Sequence, residues 1–442
     1  MSHEDGFTTR QVHIGADAAT ARPRALPIHL TAGFLFDGFD DAAAHFGAGD
    51  GFGYTRTGNP TIAAVEQKLA SLEGGAEALL LASGQAAVSV TLLGLLRAGD
   101  HVVCSDHIYE GTRGLLLDNL SRLGITADFV DDIEDPDAWR TLIRPETRAL
   151  FAESISNARN DVLDIAAVAA VADEHGIPLV VDNTLATPYL LRPLEHGAAV
   201  VVHSASKFLA GQGAVLGGVI VDDGRFDPAR SGTAFPWLVE SPRDGAPSVY
   251  ERHGGRARIA YLRETVAPRF GPTPSPLNAF LIGQGLETLS LRVDRQSANA
   301  LEVARWLQAR PEVASVDHVG LPSHPHYDLG RHYLPRGRGS VFTFTLHGGI
   351  PTARAFVESV RVLTHMTHIG DVRSLVLHPE TTSHVHRTPG ERERLGVRPG
   401  TLRLSIGIED LPDLLADLET ALVAAATASR DATTRSPEAV RA

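Results

Sequence analysis

The chain has 442 residues, of which 43% are apolar and 21% charged, and its formal net charge is −13, so we expect a soluble globular protein with two domains. The acidic balance and the lack of a basic cluster argue against a nucleic-acid partner, and no apolar run is long enough to cross a membrane. Cys104 is the only cysteine, which excludes an internal disulfide, and the first residues lack a signal-peptide pattern, so we predict a cytoplasmic protein.

The first 60 residues have little helical periodicity and many Gly, Pro, Asp and Thr, which predicts an arm without a core of its own. Such an arm packs on another part of the molecule or on another subunit. It ends in "GFGYTRTGNPT", where Tyr54 and Arg56 share one face if the segment is extended. A ring beside a guanidinium suits an anion such as phosphate, although a loop arginine is often only solvated.

An alternation of helices and strands follows the arm. We predict a helix over 61–72, a short buried strand over 76–81 and another helix after the turn in "ASGQAAVSVTLLGLL". The first turn of a helix has unpaired N–H groups and the positive end of the dipole. The backbone of Gly84 and Gln85 therefore either binds phosphate or only connects the strand to the helix.

Three later strands end in polar or aromatic residues. The strand in "DHVVCSDHIYEGT" is followed by Tyr109, which either covers a flat ligand or packs, and the strand over 149–152 leads to Glu153, Ser154 and Asn157. The apolar run over 177–181 predicts a parallel strand buried on both faces, and Asp182 ends it. Open α/β sheets bind ligands at this edge, so Asp182 faces a ligand or caps a turn.

Lysine is rare in this chain, which has 38 arginines and only Lys68 and Lys207. Lys68 lies in an amphipathic helix pattern and is predicted to be solvated. Lys207 follows the apolar run over 198–202 and the hydroxyls of Ser204 and Ser206, which places its amine near the end of a buried strand. Lysine, unlike arginine, can lose its proton and form a Schiff base, so Lys207 is either a reactive amine or a cap.

The rest of the chain is predicted as a loop or lid over 222–255, a long helical stretch from 275, strands in "GSVFTFTLHGG" and "PGTLRLSIGIED", and a helix over 411–426. Residues from 427 onward lack apolar periodicity and are predicted to be disordered. Five histidines between residues 365 and 386 lack the spacing of an HExxH site and have no cysteine partners, so we predict no metal site.

Taken in order, the motifs "YTRTGNPT", "ASGQAA", "IYEGT", "VVDNTLATP", "VVHSASKFLAGQG", "GLETLSLR" and "LRLSIGIED" resemble those of the pyridoxal-phosphate-dependent Cys/Met metabolism family. The resemblance extends over roughly residues 8 to 426 and is strongest to the O-acetylhomoserine sulfhydrylases. It implies an α/β fold of the aspartate-aminotransferase type (fold type I), with a central, mostly parallel sheet and a smaller C-terminal α+β domain.

The resemblance also implies a division of the chain and an assembly. Residues 1–60 form an arm that contacts the neighbouring subunit, 61–255 the cofactor-binding large domain, 256–426 the small domain and 427–442 a disordered tail. Two catalytic dimers are implied to form a homotetramer.

Four residues are implied to surround the ring of pyridoxal phosphate. Lys207 forms the Schiff base and then shuttles protons, whereas Asp182 pairs with the pyridine nitrogen. Tyr109 stacks on the ring and assists proton transfer at the leaving group. Asn157 lies near the ring hydroxyl.

The remaining implied roles concern the phosphate and the substrate. The phosphate is held by the backbone of Gly84 and Gln85, by the hydroxyls of Ser204 and Ser206, and by Tyr54 and Arg56 of the neighbouring subunit. Arg403 binds the α-carboxylate of the amino-acid substrate, and His368 lies beside that carboxylate.

Several positions depart from the family pattern. Ala158 follows Asn157 where proline is usual, and Glu110 stands where glycine is common and would add negative charge at the mouth of the site. His368 replaces the asparagine of sulfhydrylases, and Gly111 stands where methionine γ-lyases have cysteine. These changes affect the substrates more than the cofactor chemistry.

The resemblance therefore predicts γ-replacement on an O-activated homoserine, O-acetyl-L-homoserine, by sulfide or a small thiol. Lys207 removes the α-proton and then a β-proton before the γ-substituent leaves. Two alternatives remain open: a γ-lyase or specialised γ-substitution enzyme with another nucleophile, and a non-catalytic protein that holds the cofactor.

Overall fold

The computed structural model describes residues 5–14, 23–48, 51–157, 159–231 and 234–435. The start of the predicted arm, Ala158 and the last part of the predicted tail, 436–442, lie outside these ranges. None of the helices within them is both long and apolar enough to span a bilayer.

A seven-stranded sheet dominates the fold. Its strands are β1 (Glu77–Leu81), β2 (His101–Ser105), β3 (Thr126–Val130), β4 (Thr147–Glu153), β5 (Leu179–Asp182), β6 (Val200–Ser204) and β7 (Gly218–Asp222). The spatial order is β1-β7-β6-β5-β4-β2-β3, and β7 runs antiparallel to both neighbours whereas the other pairs are parallel. This arrangement is the predicted central, mostly parallel sheet.

The sheet is buried on both faces because successive residues of a strand point to opposite sides. In β5, Val180 belongs to one apolar cluster and Val181 to the other. Leu79 and Leu80 of β1 divide in the same way. Continuous apolar runs in the sequence therefore correspond to strands with helices on both sides.

Nineteen α-helices lie in the described ranges. The first ten are α1 (Phe7–His13), α2 (Phe39–Ala48), α3 (Pro60–Glu73), α4 (Gly84–Leu95), α5 (Glu110–Gly114), α6 (Pro136–Leu142), α7 (Ile165–Glu174), α8 (Thr187–Leu190), α9 (Pro228–Ser231) and α10 (Pro236–Val239). The others are α11 (Val249–His253), α12 (Ala257–Tyr261), α13 (Ala267–Phe270), α14 (Pro276–Leu286), α15 (Leu289–Gln308), α16 (Tyr327–Tyr333), α17 (Ile350–Ser359), α18 (Pro389–Arg394) and α19 (Leu411–Arg435).

Local capping explains where the helices around the site begin. Asn59 accepts a hydrogen bond from the Thr61 N–H and precedes Pro60, so α3 begins with a capped first turn. Ser83 caps α4 in the same way, because its Oγ accepts from the Ala86 N–H at 3.1 Å. Both helices therefore begin directly after a polar capping residue, Asn59 for α3 and Ser83 for α4.

A second sheet is built from β8 (Val313–Asp317), β9 (Val341–Leu346), β10 (Thr364–His365), β11 (Leu375–Leu377) and β12 (Thr401–Ser405). Its order is β10-β11-β12-β9-β8. On β12, Leu402 and Leu404 enter an apolar core with Phe356 of α17 and Leu418 of α19. Arg403 lies between these two leucines and therefore points to the other face of the sheet.

The structure differs from the predicted boundaries at two places. Residues Ala257 to Ala267, which follow the predicted division at residue 255, pack on the seven-stranded sheet together with Leu79 and Val180. Helix α19 continues to Arg435, although disorder was predicted from residue 427. Alanine and threonine dominate this extension, and alanine favours helix even where no apolar stripe is present.

The interpretation of Lys68 as a solvated helix residue is wrong. Lys68 is only 7% exposed, and its Nζ lies 3.6 Å from Oε1 of Glu287. Helix α3 packs against α14, so the polar side of its amphipathic pattern also meets protein. Sequence periodicity predicts which residues of a helix face the core, but it does not reveal that another helix covers the opposite face.

We predict that Gly218→Ala destabilises the protein by about 1–3 kcal/mol, because a Cβ at this position would lie 1.9 Å from the carbonyl oxygen of Ser83 and would displace the start of α4. Thermal unfolding measures this change. Gly390→Ala is the matched control, since nothing lies within 4 Å of a Cβ there. Equal unfolding temperatures for the two variants would contradict the prediction.

Candidate active site

The carboxyl ends of β1, β4, β5 and β6 meet at one edge of the large sheet, because these four strands are parallel. A cavity of about 270 Å³ lies there. Its lining combines two carboxylates, an amine, a guanidinium and the start of a helix. The lining residues are Ser83, Gly84, Gln85, Val88, Tyr109, Thr112, Glu153, Asn157, Asp182, Thr184, Leu185, Ser204, Ser206, Lys207, Leu216, Thr367, His368, Ile369 and Arg403.

The Lys207 amine is partly buried and lies beside His368. Its Nζ lies 3.1 Å from His368 Nδ1. Burial, and secondarily the Arg403 guanidinium, lower the pKa of Lys207 to about 8. Burial and Lys207 lower the pKa of His368 to about 4, so the imidazole is neutral and accepts from the amine at Nδ1. Its Nε2 then carries the proton, and that atom has no hydrogen-bond partner among the described residues.

Arg403 is a buried cation without a carboxylate partner in the described part of the chain. Its Nη2 donates to the Thr367 carbonyl at 2.9 Å, and its Nη1 donates to Asn157 Oδ1 at 3.4 Å. Burial lowers the pKa of Arg403 to about 10, which still leaves it charged at neutral pH. Two other buried arginines, Arg258 and Arg387, pair with Asp or Glu, and Arg292 donates to backbone carbonyls. Arg403 lines the cavity, so its guanidinium is available to bind an incoming carboxylate in a fork.

Asp182 ends β5 with one oxygen already occupied. Thr184 donates to Oδ1 from its backbone N–H at 3.0 Å and from its hydroxyl at 2.5 Å. Burial raises the pKa of Asp182, while these two hydrogen bonds oppose that shift. The other oxygen, Oδ2, remains for a positively charged or N–H donor group in the cavity.

A polar cradle lies at the start of α4. Position 84 requires glycine because the backbone there lies close to Ser204: a Cβ on residue 84 would be 2.6 Å from Cβ of Ser204. Ser206 is held by two hydrogen bonds with Gly217, a donated one of 3.2 Å and an accepted one of 3.0 Å. Free N–H groups at a helix start beside serine hydroxyls form a typical phosphate site.

Tyr109 stands at the mouth of the cavity and is 53% exposed. Its ring lies over Gly111, where a Cβ would approach Tyr109 Cε1 to 2.3 Å. A cysteine at this position would therefore force the ring to move. Asn157 faces Arg403 in this structure, as described above, so its side chain reaches toward the carboxylate site as well as toward the cavity.

The structure brings together every predicted site residue except Tyr54 and Arg56. Tyr54 is 48% exposed, and Arg56 donates from Nη1 to the Pro268 carbonyl at 2.6 Å. The Arg56 guanidinium lies 5.3 Å from the centre of the Tyr54 ring. The two residues therefore share a face, as predicted, but they are not part of the Lys207 cavity of their own chain.

The negative charge expected from Glu110 is neutralised. Its Oε1 accepts from Arg387 Nε at 2.8 Å, and Arg387 Nη1 donates to Asp106 at 3.0 Å. Arg387 is 5% exposed and comes from the segment after β11, so no sequence-local signal links it to Glu110. The ion pair between Arg387 and Glu110 consequently connects the segment after β11 to the start of α5 at the mouth of the cavity.

Sequence reasoning assigned no role to Glu153 or Thr184, both of which line the cavity. Glu153 was visible as a carboxylate at a strand end, the same signal that identified Asp182. No group of three His, Cys, Asp or Glu side chains in the described ranges is arranged to hold a metal ion.

The residues present fit pyridoxal phosphate. A partly buried amine of lowered pKa suits its aldehyde, the cradle at α4 suits its phosphate, and the Asp182 carboxylate suits a protonated ring nitrogen. Arg403 is left over for the carboxylate of an amino acid. The distribution of charges thus matches a cofactor and a substrate held side by side.

Comparisons with known proteins agree with this chemistry. The model of the family "Cys/Met metabolism PLP-dependent enzyme" matches residues 8–423. An O-acetyl-L-homoserine sulfhydrylase of Corynebacterium glutamicum is 42% identical over 94% of this chain and 96% of its own length. Another, from Thermus thermophilus, is 40% identical over 94% and 99%.

A crystal structure of a putative O-acetylhomoserine (thiol)-lyase from Campylobacter jejuni, with N′-pyridoxyl-lysine-5′-monophosphate, superposes with a TM-score of 0.87. It is 33% identical and covers 95% of this chain and 100% of that one. The likeness in fold extends over nearly the whole of both chains.

We predict that the cofactor-free protein captures pyridoxal phosphate at a rate that rises with pH and levels off above about pH 8. At a pKa of about 8 roughly a tenth of Lys207 is neutral at pH 7, against about one part in three thousand at the ordinary value of 10.5. The initial rate of absorbance change on mixing measures this profile.

Arg403→Gln should shift the midpoint of this profile upward, because the variant removes the positive charge that helps to lower the pKa of Lys207. A wild-type rate that keeps rising to pH 10 without levelling off would contradict the assignment.

Proposed function

The chain belongs to the Cys/Met metabolism family of PLP-dependent enzymes, and on this basis we propose that it catalyses γ-replacement on O-acetyl-L-homoserine by sulfide or a small thiol. The product is homocysteine or its analogue. The observation that carries the proposal is the buried Arg403 guanidinium, which has no carboxylate partner among the described residues and lies in the same cavity as the Lys207 amine. The names of relatives that are about 40% identical support the choice of substrate.

Bound pyridoxal phosphate supplies an electron sink for negative charge that develops on an attached amino acid. Around it, Arg403 holds the substrate carboxylate in a fork and fixes the position of the α-carbon. Lys207, with its lowered pKa, is the base that takes the α-proton and then a β-proton. Asp182 stays anionic and keeps a proton on the ring nitrogen.

Two further residues act near the departing group. Tyr109, at the mouth, is placed to donate a proton to the leaving acetate or to exclude water from the reacting carbons. His368 accepts from Lys207 at 3.1 Å and holds the amine beside the carboxylate site, with its Nε2–H directed to no other described group. Glycine at 111 leaves room for the Tyr109 ring and provides no thiol for a lyase of the methionine γ-lyase kind.

The proposal includes an assembly in which the arm completes a neighbour's site. Large apolar side chains of the arm face solvent in the single chain, namely Leu30 at 71%, Leu35 at 101%, Phe39 at 89% and Phe46 at 81% exposed. Monomeric proteins rarely leave such a concentration uncovered. A homotetramer of two catalytic dimers covers this surface and brings Tyr54 and Arg56 to the partner's phosphate site. The enzyme works in the cytoplasm.

The first test mixes the cofactor-loaded protein with O-acetyl-L-homoserine, with and without sulfide, and measures homocysteine, 2-oxobutanoate and the cofactor spectrum. Homocysteine that forms only with sulfide is the expected result. Formation of 2-oxobutanoate without homocysteine would make the protein a γ-lyase or a substitution enzyme with another nucleophile. No spectral change with any amino acid would indicate a protein that only holds the cofactor.

Lys207→Ala should abolish both turnover and the absorbance of the lysine-bound cofactor, because no other lysine lines the cavity. Lys68→Ala is the matched control: it removes the other lysine and leaves only the partly exposed Glu287 without its partner. Normal turnover by Lys207→Ala would exclude the mechanism.

Sharing of the site between subunits predicts complementation. Lys207→Ala and Arg56→Ala are each expected to be weakly active, but randomly mixed dimers of the two should regain about a quarter of wild-type activity, since half are hybrids with one native site each. Activity is measured after joint refolding, with each variant refolded alone as the control. Activity no higher than the mean of the two variants would place Arg56 outside the partner's site.

A further inference from the structure

Glu153 is a buried carboxylate in the cavity wall that the mechanism above does not use. It is the last residue of β4, pairs in register with Asp182 of β5 and is 7% exposed. Its Oε1 accepts from the Tyr109 N–H at 2.6 Å, and its Oε2 accepts from the Asn157 N–H at 3.3 Å. One side chain therefore joins the two turns that carry Tyr109 and Asn157.

These two hydrogen bonds fix backbone groups that helix and sheet leave unpaired. Tyr109 directly precedes α5, and Asn157 lies in the loop after β4, so neither N–H belongs to a strand ladder. Buried N–H groups require a partner, and Glu153 provides it for both. The orientation of the tyrosine ring and of the asparagine side chain thus depends on one carboxyl group.

The charge of Glu153 is tied to that of Asp182. Like charges at adjacent strand ends disfavour each other, and burial together with Asp182 raises the pKa of Glu153 well above its ordinary value. Asp182 receives two hydrogen bonds from Thr184 on one oxygen, which favour its charged form. Glu110 of α5 and Cys104 of β2 also interact electrostatically with Glu153, and the titratable side chains of Lys207, His368 and Arg403 line the same cavity.

The position of Glu153 favours the neutral form of its carboxyl group, because the side chain is buried and adjoins the Asp182 carboxyl group at the ends of two paired strands. A proton on Glu153 leaves the single negative charge of the pair on Asp182.

We propose that Glu153 is a positioning residue, which orients Tyr109 and Asn157 through their backbone N–H groups and holds a proton so that Asp182 keeps the negative charge facing the ring nitrogen. This inference rests on the proposed placement of the cofactor ring between Tyr109 and Asp182.

Two variants separate the two parts of this role. Glu153→Gln keeps a neutral group and one carbonyl acceptor but turns an NH₂ group toward one of the two N–H donors. Glu153→Ala removes both acceptors. Asp417→Asn is the matched control, because Asp417 is a buried carboxylate that accepts from the N–H groups of Arg361, Val362 and Leu363 and does not line the cavity.

The readouts are the visible circular dichroism of the bound cofactor, the pH midpoint of its absorbance, its dissociation constant, and kcat and KM. In Glu153→Ala we expect weaker dichroism and a kcat that falls about tenfold or more with little change in KM, whereas the pH midpoint stays at the wild-type value because no charge is removed. Glu153→Gln should keep the wild-type midpoint and lose only a few-fold in kcat. Asp417→Asn should change none of these quantities, although its unfolding temperature falls.

Wild-type dichroism and kcat in a folded Glu153→Ala variant, or a displaced pH midpoint, would overturn the proposal. If that variant does not fold, Glu153→Gln provides the test. A displaced pH midpoint would show that Glu153 is normally charged, and an unchanged kcat would show that it does not position Tyr109 and Asn157. Either result overturns the proposal. The spectral readouts need no substrate, so they stand even if the wild-type protein makes no homocysteine.

Discussion

The parallel pairing of β4, β5 and β6 is the constraint on which the site depends. The register joins Glu153 to Asp182 and Asp182 to Val202, so β4 and β5 end level with each other and β6 ends two residues further on, at Ser204. Their apolar residues are buried on both faces and fix this register, because a slip of one residue would exchange the two faces. Polar residues that follow each strand are then forced to the same edge, beside the start of α4.

Burial gives these polar groups their chemistry. Lys207 and Arg403 are cations that line the cavity without a carboxylate partner among the described residues. Burial lowers the pKa values of both side chains. Glu153 and Asp182 are carboxylates whose pKa values burial raises. The protein therefore accepts an electrostatic cost at this edge, and a bound cofactor and an amino acid supply the missing charges.

Long-range contacts hold the small sheet against this edge. Arg403 reaches the cavity from β12, where Leu402 and Leu404 anchor the strand in the core of the small sheet. Arg387 connects the segment after β11 to Asp106 and Glu110, on either side of the chain that bears Tyr109. The Arg403 guanidinium and the Tyr109 ring at the mouth are thus held by contacts between the large and the small sheet.

The sequence by itself determined the elements, the family and most of the cavity. Apolar runs of four or five residues specified the buried strands, and the rarity of lysine together with the motif around Lys207 pointed to the amine that lines the cavity. Polar residues at strand ends could be grouped because parallel strands place their carboxyl ends at one edge. Only the tertiary structure decided the burial of Lys68 against α14, the neutralisation of Glu110 by Arg387 and the bridging role of Glu153. Each of these depends on a partner far away in the chain, and local periodicity contains no information about such a partner.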